Sequence, residues 1–365
     1  MARHRASAAL LATVLAIGCI AGLDARAADP PARPKVLIEF GWDEPDTAFL
    51  RKHIAAMERT PFDGCVFHAL TRGPNGETDN LAWKFWGRRA FTAAELAPAV
   101  EDLKAAKPTR FRHNFLRVNT TPGDLDWFDD FTPVLANARL AARVAREGGC
   151  PGLLLDIEQY EKALFDYRKQ AHKATRSWDE YAAQARLRGR ELMDAFQGGY
   201  PGLTVFSTFG PSLVHAQTGK GKSPAKDASY GLLLPLLEGM SEAVRGGTRL
   251  VDGYELAYGY RSARQFDEAL AVIRSLRPKL EAGFGIWLDH DWRKNGWNGV
   301  DPSKNEVTPA SFESTVRAAL ERSEGIVWIY TETPRWWAEP DGQPVKLPAA
   351  YGEALRRARR GLAAD

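Results

Sequence analysis

Leu153-Leu154-Leu155-Asp156-Ile157-Glu158 is the stretch on which the fold turns. Side chains alternate along a strand, so Leu153, Leu155 and Ile157 share one face and Leu154, Asp156 and Glu158 share the other. The first face suits packing against helices. The second turns inward and ends in two carboxylates, the pattern of a buried parallel strand with a functional tip.

Seven similar apolar runs surround it, over 36–42, 64–69, 111–119, 203–210, 251–258, 283–289 and 325–332. With 152–158 they make eight predicted strands. Amphipathic patterns fall between them at 47–59, 92–106, 131–147, 178–196, 230–244, 262–276 and 308–322, with a closing helix over 349–362. Thr92 with Glu95, and Ser177 with Glu180, have the spacing of capping boxes. Eight strands alternating with helices predict an α/β chain closed as a single (β/α)₈ TIM barrel. No glycine-rich phosphate loop follows the first strand, as a doubly wound sheet often requires. Gly219-Lys220-Gly221-Lys222-Ser223 imitates such a loop, but Ala216 stands where its first glycine belongs.

The 365 residues are 44% hydrophobic and 26% charged, enough apolar material for a large core. Arg3, His4 and Arg5, an apolar run from Ala8 to Ala21, and Ala25-Arg26-Ala27 form the three-part pattern of a secretory signal peptide. The expectation is therefore a leader over 1–27, a barrel over 28–365, and an exported protein, periplasmic or secreted. Cys19 offers a minor route to lipidation. The leader's apolar run is short of the roughly 20 residues a membrane span needs, so no stable insertion is expected after its removal. Basic and acidic residues nearly balance at 49 and 46, with no basic block interleaved with aromatics, which disfavours nucleic acid as a partner. Cys65 and Cys150 fall two strands apart, about 9–10 Å, and are expected as separate buried thiols.

Barrel enzymes build their sites at the C-terminal ends of the strands. There the sequence places Trp42, Asp43 and Glu44 on strand one, His68 on strand two, His113 on strand three, Asp156 and Glu158 on strand four, and Glu255 and Tyr258 on strand six. Strand seven adds Trp287, Asp289 and Asp291 with Trp292 and Trp297, and strand eight adds Trp328, Tyr330 and Glu332 with Trp336 and Trp337. Close carboxylates raise one another's pKa and keep one proton available for donation. Indole faces stack on the C–H faces of sugar rings while carboxylates accept from sugar hydroxyls, so the concentration of both types points to an oligo- or polysaccharide. No H-x-H or H-E-x-x-H spacing, nucleophile elbow or dinucleotide fingerprint occurs, and neither cofactor nor metal is expected.

Asp156-Ile157-Glu158 resembles the last part of the D-x-E motif on strand four of chitinase-type (β/α)₈ glycoside hydrolases. The resemblance implies Glu158 as acid/base, Asp156 as its helper and a strand-six tyrosine, Tyr254 or Tyr258, assisting. Leu154 and Gly152 occupy the motif's earlier acidic positions, and Tyr254-Glu255 replaces an aromatic–Asp pair. The expected reaction is glycosidic hydrolysis, with Glu158 as proton donor and Glu332 as second carboxylate, ahead of Glu255 and Asp289. Trp42, Asp43, His68, Tyr258, Trp287, Asp291, Trp292, Tyr330 and Trp336 are the expected substrate contacts. Two other classes fit the same residues: a non-catalytic carbohydrate-binding barrel, and a metal-dependent sugar lyase or isomerase with Asp156, Glu158, Glu255 and Asp289 as oxygen ligands.

Overall fold

A computed structural model describes residues 34–337 and 347–362. The predicted leader, with Cys19, lies outside the described residues.

Eight parallel strands form the sheet. Strands one to six are Val36–Glu39, Gly64–Phe67, Phe115–Asn119, Gly152–Asp156, Thr204–Ser207 and Arg249–Asp252. Strand seven comes in two pieces, Glu281–Ala282 and Phe284–Trp287, on either side of Gly283, and strand eight is Ile326–Tyr330. Each strand pairs in parallel with the next, and strand eight pairs with strand one. The first piece of strand seven pairs with strand six and the second with strand eight, so the ring closes through Gly283. The Gly283 N–H donates to Asp252 at 2.8 Å, continuing the ladder across the break. The fold is an α/β TIM barrel.

Eight helices cover the outside close to their predicted bounds: Thr47–Met57, Ala93–Ala106, Thr132–Glu147, Trp178–Gly199, Leu233–Ala243, Ala263–Ser275, Pro309–Arg322 and Ala349–Arg359. Both expected capping boxes are formed, with the Thr92 and Ser177 hydroxyls accepting from the Glu95 and Glu180 amides. Each such cap contributes about 1 kcal/mol by satisfying an orphan amide.

Parity along the strands separates two cores. Val36, Ile38, Phe40, Val66, Phe115, Leu154, Phe206, Val251, Ile326 and Trp328 fill the barrel. Leu153, Leu155, Ile157, Val327 and Ile329 pack outward under the helices. At the base, strand four approaches strand five so closely that a Cβ on Gly152 would lie 1.8 Å from the Thr204 carbonyl oxygen. Cys65 and Cys150 are buried free thiols, as expected.

Two local expectations fail, and some elements were not anticipated. Strand six stops at Asp252 and does not run to 258, because the Asp252 carboxylate accepts from the Tyr254 amide at 2.9 Å and turns the chain. Tyr254 then takes a left-handed conformation at φ 46°, and Glu255–Ala257 form a 3₁₀ turn. Strand three begins at Phe115, leaving His113 at the opposite, N-terminal end of the barrel beside Asp63 and Arg359. A hairpin, Leu70–Arg72 with Thr78–Asn80, and short helices Leu81–Lys84 and Pro211–Gln217 were not anticipated. Gly219 to Ser223 follow the last of these as an exposed turn, not a phosphate loop.

Trp328 plugs the barrel, packing on Phe40 and Phe206 and donating its indole N–H to the Gly253 carbonyl at 2.8 Å. Trp328→Ala is expected to cost about 3–5 kcal/mol, the range for emptying a buried aromatic site. Urea denaturation checks this, and an unchanged midpoint would rule out the plug.

Candidate active site

A cavity of about 750 Å³ opens at the C-terminal ends of the strands. Its wall combines Glu44, Glu158, Glu255 and Glu332 with Arg117, Arg293, Arg335 and His68, and with Trp42, Trp83, Trp287, Tyr160, Tyr258 and Tyr330.

The floor is a chain of charged hydrogen bonds. Arg117, inward on strand three between Phe115 and Asn119, donates from Nη1 to Glu44 and from Nη2 to Asp156, each at 2.7 Å. His68 Nδ1 lies 3.4 Å from the other Glu44 oxygen. The single Tyr160 hydroxyl proton lies between two acceptors, Asp156 Oδ2 at 3.0 Å and the closer Glu158 carboxylate. Asp156 further accepts from the Glu158 amide at 3.1 Å, which fixes the turn that ends strand four. Asp156 is fully buried beneath the cavity, so its carboxylate orders Arg117, Tyr160 and Glu158 without lining the wall itself.

Electrostatics separates the carboxyls. Burial opposes charge on Glu44, but Arg117 and His68 outweigh it and hold Glu44 below the ordinary carboxylate range. Burial would also lower Arg117, yet Glu44 and Asp156 raise it, so it stays charged. Glu158 is raised by burial and by the Asp156 charge, with Tyr160 and Arg117 pulling the other way. Glu255 is raised well above the ordinary range by burial, then by the charges of Glu158 and Asp156. Interacting acids of this kind titrate as a pair. Arg117 and one tyrosine hydroxyl ease charge on each of them, Tyr160 for Glu158 and Tyr258 for Glu255, and Glu255 is the more strongly raised of the two.

Glu332 sits differently. Its carboxylate accepts from Trp292 Nε1 at 2.6 Å, Arg293 at 2.8 Å and the Tyr330 hydroxyl at 3.2 Å. Its oxygens are already engaged, which suits a fixed wall better than proton transfer. Asp289 is fully buried outside the cavity, accepting from Trp287 Nε1 and from the amides of Glu332 and Thr333. It shapes the segment after strand eight.

Of the other expected contacts, Trp42, His68, Tyr258, Trp287 and Tyr330 line the cavity. Tyr258 reaches it through the 3₁₀ turn and stacks on Tyr330 with centroids 5.3 Å apart. Tyr254 is instead buried on the outer side against Tyr260 and Phe284. Asp43 and Trp336 are buried behind the wall, joined by the Trp336 amide donating to Asp43 at 2.8 Å. Asp291 accepts from Asn295 and starts the short helix Trp292–Asn295, and Trp292 stands behind Glu332 with its ring edge-on to Trp42. Trp297 packs on Tyr351.

Sequence reasoning missed Arg117, Tyr160, Trp83, Asn80, Arg293 and Arg335, and left Glu44 without a role. Arg117 and Tyr160 had a signal, since both continue the inward alternation of their strands. Trp83 and Asn80 had none, because only the unanticipated hairpin and helix carry them to the cavity. Among the described residues no group of His, Cys, Asp and Glu is arranged to hold a metal ion, and no helix is long and apolar enough to cross a membrane.

No protein-family model matches the sequence, and no curated protein matches it. Among solved structures, "Structure of CpGH84B" is similar over 83% of this chain, at 10% identity and a TM-score of 0.43. The chain spans 46% of that protein's length. "GH5-4 broad specificity endoglucanase from Bacteroides salanitronis" is similar over 86% of this chain and 84% of its own, again at 10% identity and a TM-score of 0.43. The barrel itself rests on the closed strand ladder described above.

If Glu158 and Glu255 are coupled, carboxyl ¹³C titration should place both midpoints above ordinary glutamate. Glu158→Gln removes a nearby negative charge and should lower the Glu255 midpoint. A Glu255 titration indifferent to that substitution would rule the coupling out.

Proposed function

We propose that this chain is an exported glycoside hydrolase in which Glu158 and Glu255 are the working carboxyl pair. The observation that carries the proposal is their shared position at the mouth of the barrel, lining one aromatic-walled cavity, with both proton affinities raised. Hydrolysis of a glycosidic bond needs one carboxyl that still holds a proton for the leaving oxygen and one that is ionised. Glu255 fits the acid. Glu158, the less strongly raised of the two, fits the base or nucleophile.

The wall suits a sugar substrate. Trp83 and Tyr160 pair on the side of strands two to four, with centroids 5.0 Å apart, and Trp42 meets Trp292 across the mouth beside strands one and seven. Trp42 is 52% exposed and Tyr160 46%, so both platforms present ring faces that nothing in the protein covers completely. Polar groups between the platforms supply acceptors and donors for hydroxyls. Export rests on the leader pattern of residues 1–27.

The test is hydrolysis of a panel of oligosaccharides, with glycan binding measured in parallel. Glu158→Gln and Glu255→Gln should each lower kcat by about 10²–10⁴-fold, the usual contribution of a positioned acid or base, while binding persists. Full hydrolysis by either variant would overturn the assignment, and binding without hydrolysis by the wild type would favour a non-catalytic barrel.

The pH profile follows from the same pair. Activity should rise as Glu158 loses its proton and fall as Glu255 loses its own, with both limbs above the range of free carboxylates. A profile of kcat/KM against pH checks the two limbs. A maximum at or below the ordinary carboxylate range would contradict the assigned roles.

A further inference from the structure

Behind the cavity wall, Glu39 and Asp43 meet in the protein interior. Ile38 and Phe40 point into the barrel, so Glu39 lies on the helix-facing side of strand one with Leu37. Glu39 is 0% exposed and Asp43 2%. Among the described residues no N–H or O–H group donates to either Glu39 oxygen or to Asp43 Oδ1. The hydrogen-bonding neighbour of Glu39 is the Asp43 carboxyl itself. Two carboxyls share a hydrogen bond only when one of them holds a proton. Asp43 is the acceptor of the two, because its Oδ2 already takes the Trp336 amide at 2.8 Å.

Asp43 in turn straps down the chain after strand eight. Its backbone carbonyl accepts from Trp337 Nε1 at 2.8 Å. The Trp336 and Trp337 rings pack edge-on against Phe62 and Phe111. Strand one touches the start of the same segment, where a Cβ on Gly41 would lie 2.5 Å from the Thr331 carbonyl oxygen. Glu332 and Arg335, both in the cavity wall, lie between these anchors, and the Arg335 guanidinium sits 5.8 Å over the Trp42 ring.

We propose that Glu39 is a positioning residue: its carboxyl donates a hydrogen bond to Asp43, and the pair pins residues 331–337 so that Glu332, Arg335 and Trp42 form one wall of the cavity. Only the kinetic consequence rests on the glycosidase function; the strap does not. The charged and titratable groups facing Glu39 are Asp43, Glu44, Arg335 and Cys65. Burial, then Asp43, keeps the proton on Glu39 well above the ordinary 4.5. The folded chain thus holds a proton that the unfolded chain has released. Stability therefore falls as pH rises from the ordinary value up to the folded one.

The experiment uses the full chain, with urea denaturation and tryptophan emission followed from about pH 5 to 9. Glu39→Gln donates to Asp43 at every pH, so its midpoint should fall less with pH than that of the wild type, and its emission should match wild type at pH 5. Glu39→Ala should shift the emission at every pH. If the wild type hydrolyses a glycan, Glu39→Ala should also lower kcat by about tenfold or more, because small misplacements near reacting groups are costly, and Glu39→Gln should restore most of it. A Glu39→Gln curve parallel to wild type, or an emission spectrum for Glu39→Gln identical to that of Glu39→Ala, would overturn the strap. Should Glu39→Ala fail to fold, the wild-type minus Glu39→Gln infrared difference spectrum at pH 7 decides the matter: it should show the loss of one protonated-acid carbonyl component, with any band from Glu255 cancelling. A difference spectrum without that component overturns the proposal. If no glycan is hydrolysed, the proposed function falls alone and the stability and emission comparisons still test the strap.

Discussion

The guanidinium of Arg117 is the interaction around which the mouth of this barrel is organised. Its side chain is 11% exposed, and it bridges Glu44 on one side to Asp156 on the other. Four acidic side chains crowd the same wall and a fifth lies beneath it. Without a cation between them, burial and mutual repulsion would force most of them to bind protons. Arg117 eases charge most for the two carboxylates it touches. Glu44 and Asp156 are in direct ion pairs, while Glu158 and Glu255 feel the charge only through space and are raised, Glu255 the more strongly. A geometric choice on strand three thereby places like residues in different electrostatic surroundings.

The rest of the barrel keeps that arrangement rigid. The interior below the mouth is apolar and aromatic, with Phe115 on Phe206 and Phe206 on Trp328. Interiors packed at crystalline density transmit displacement, so the charged floor has little room to relax. The outer shell does comparable work at the rim, where Asp289 and Asp43 spend their carboxylates on backbone amides of the segment after strand eight. Carboxyls buried just behind the cavity wall thus anchor the segment that carries Glu332.

Glu255 shows how local chain geometry and chemistry meet. Had strand six continued, its alternation would have carried Tyr258 to the helix side. The turn at Asp252 and the left-handed Tyr254 end the strand early, and the 3₁₀ turn swings Tyr258 into the cavity against Tyr330 and Trp287. A non-glycine residue at positive φ costs energy, and such residues concentrate at functional sites.

Much of this was legible in the sequence. Eight apolar runs and eight amphipathic stretches gave the barrel, because strand alternation and helical periodicity are local properties that a one-dimensional pattern records. The same alternation placed Asp156 and Glu158 together on the inward face and pointed Trp42, Trp287 and Tyr330 to the mouth. Asp289, Asp43 and Trp336 looked equivalent to these by position, and the sequence contains nothing that separates a carboxylate facing solvent from one capping a backbone turn. Arg117 carried the right parity but no motif. Trp83 depended on a hairpin too short to register as a pattern. The strongly raised proton affinity of Glu255 was beyond the sequence for a physical reason. Proton affinity depends on burial and on charges that the ring of strands brings together from residues 44, 117, 156 and 255, and only the closed barrel sets those neighbours.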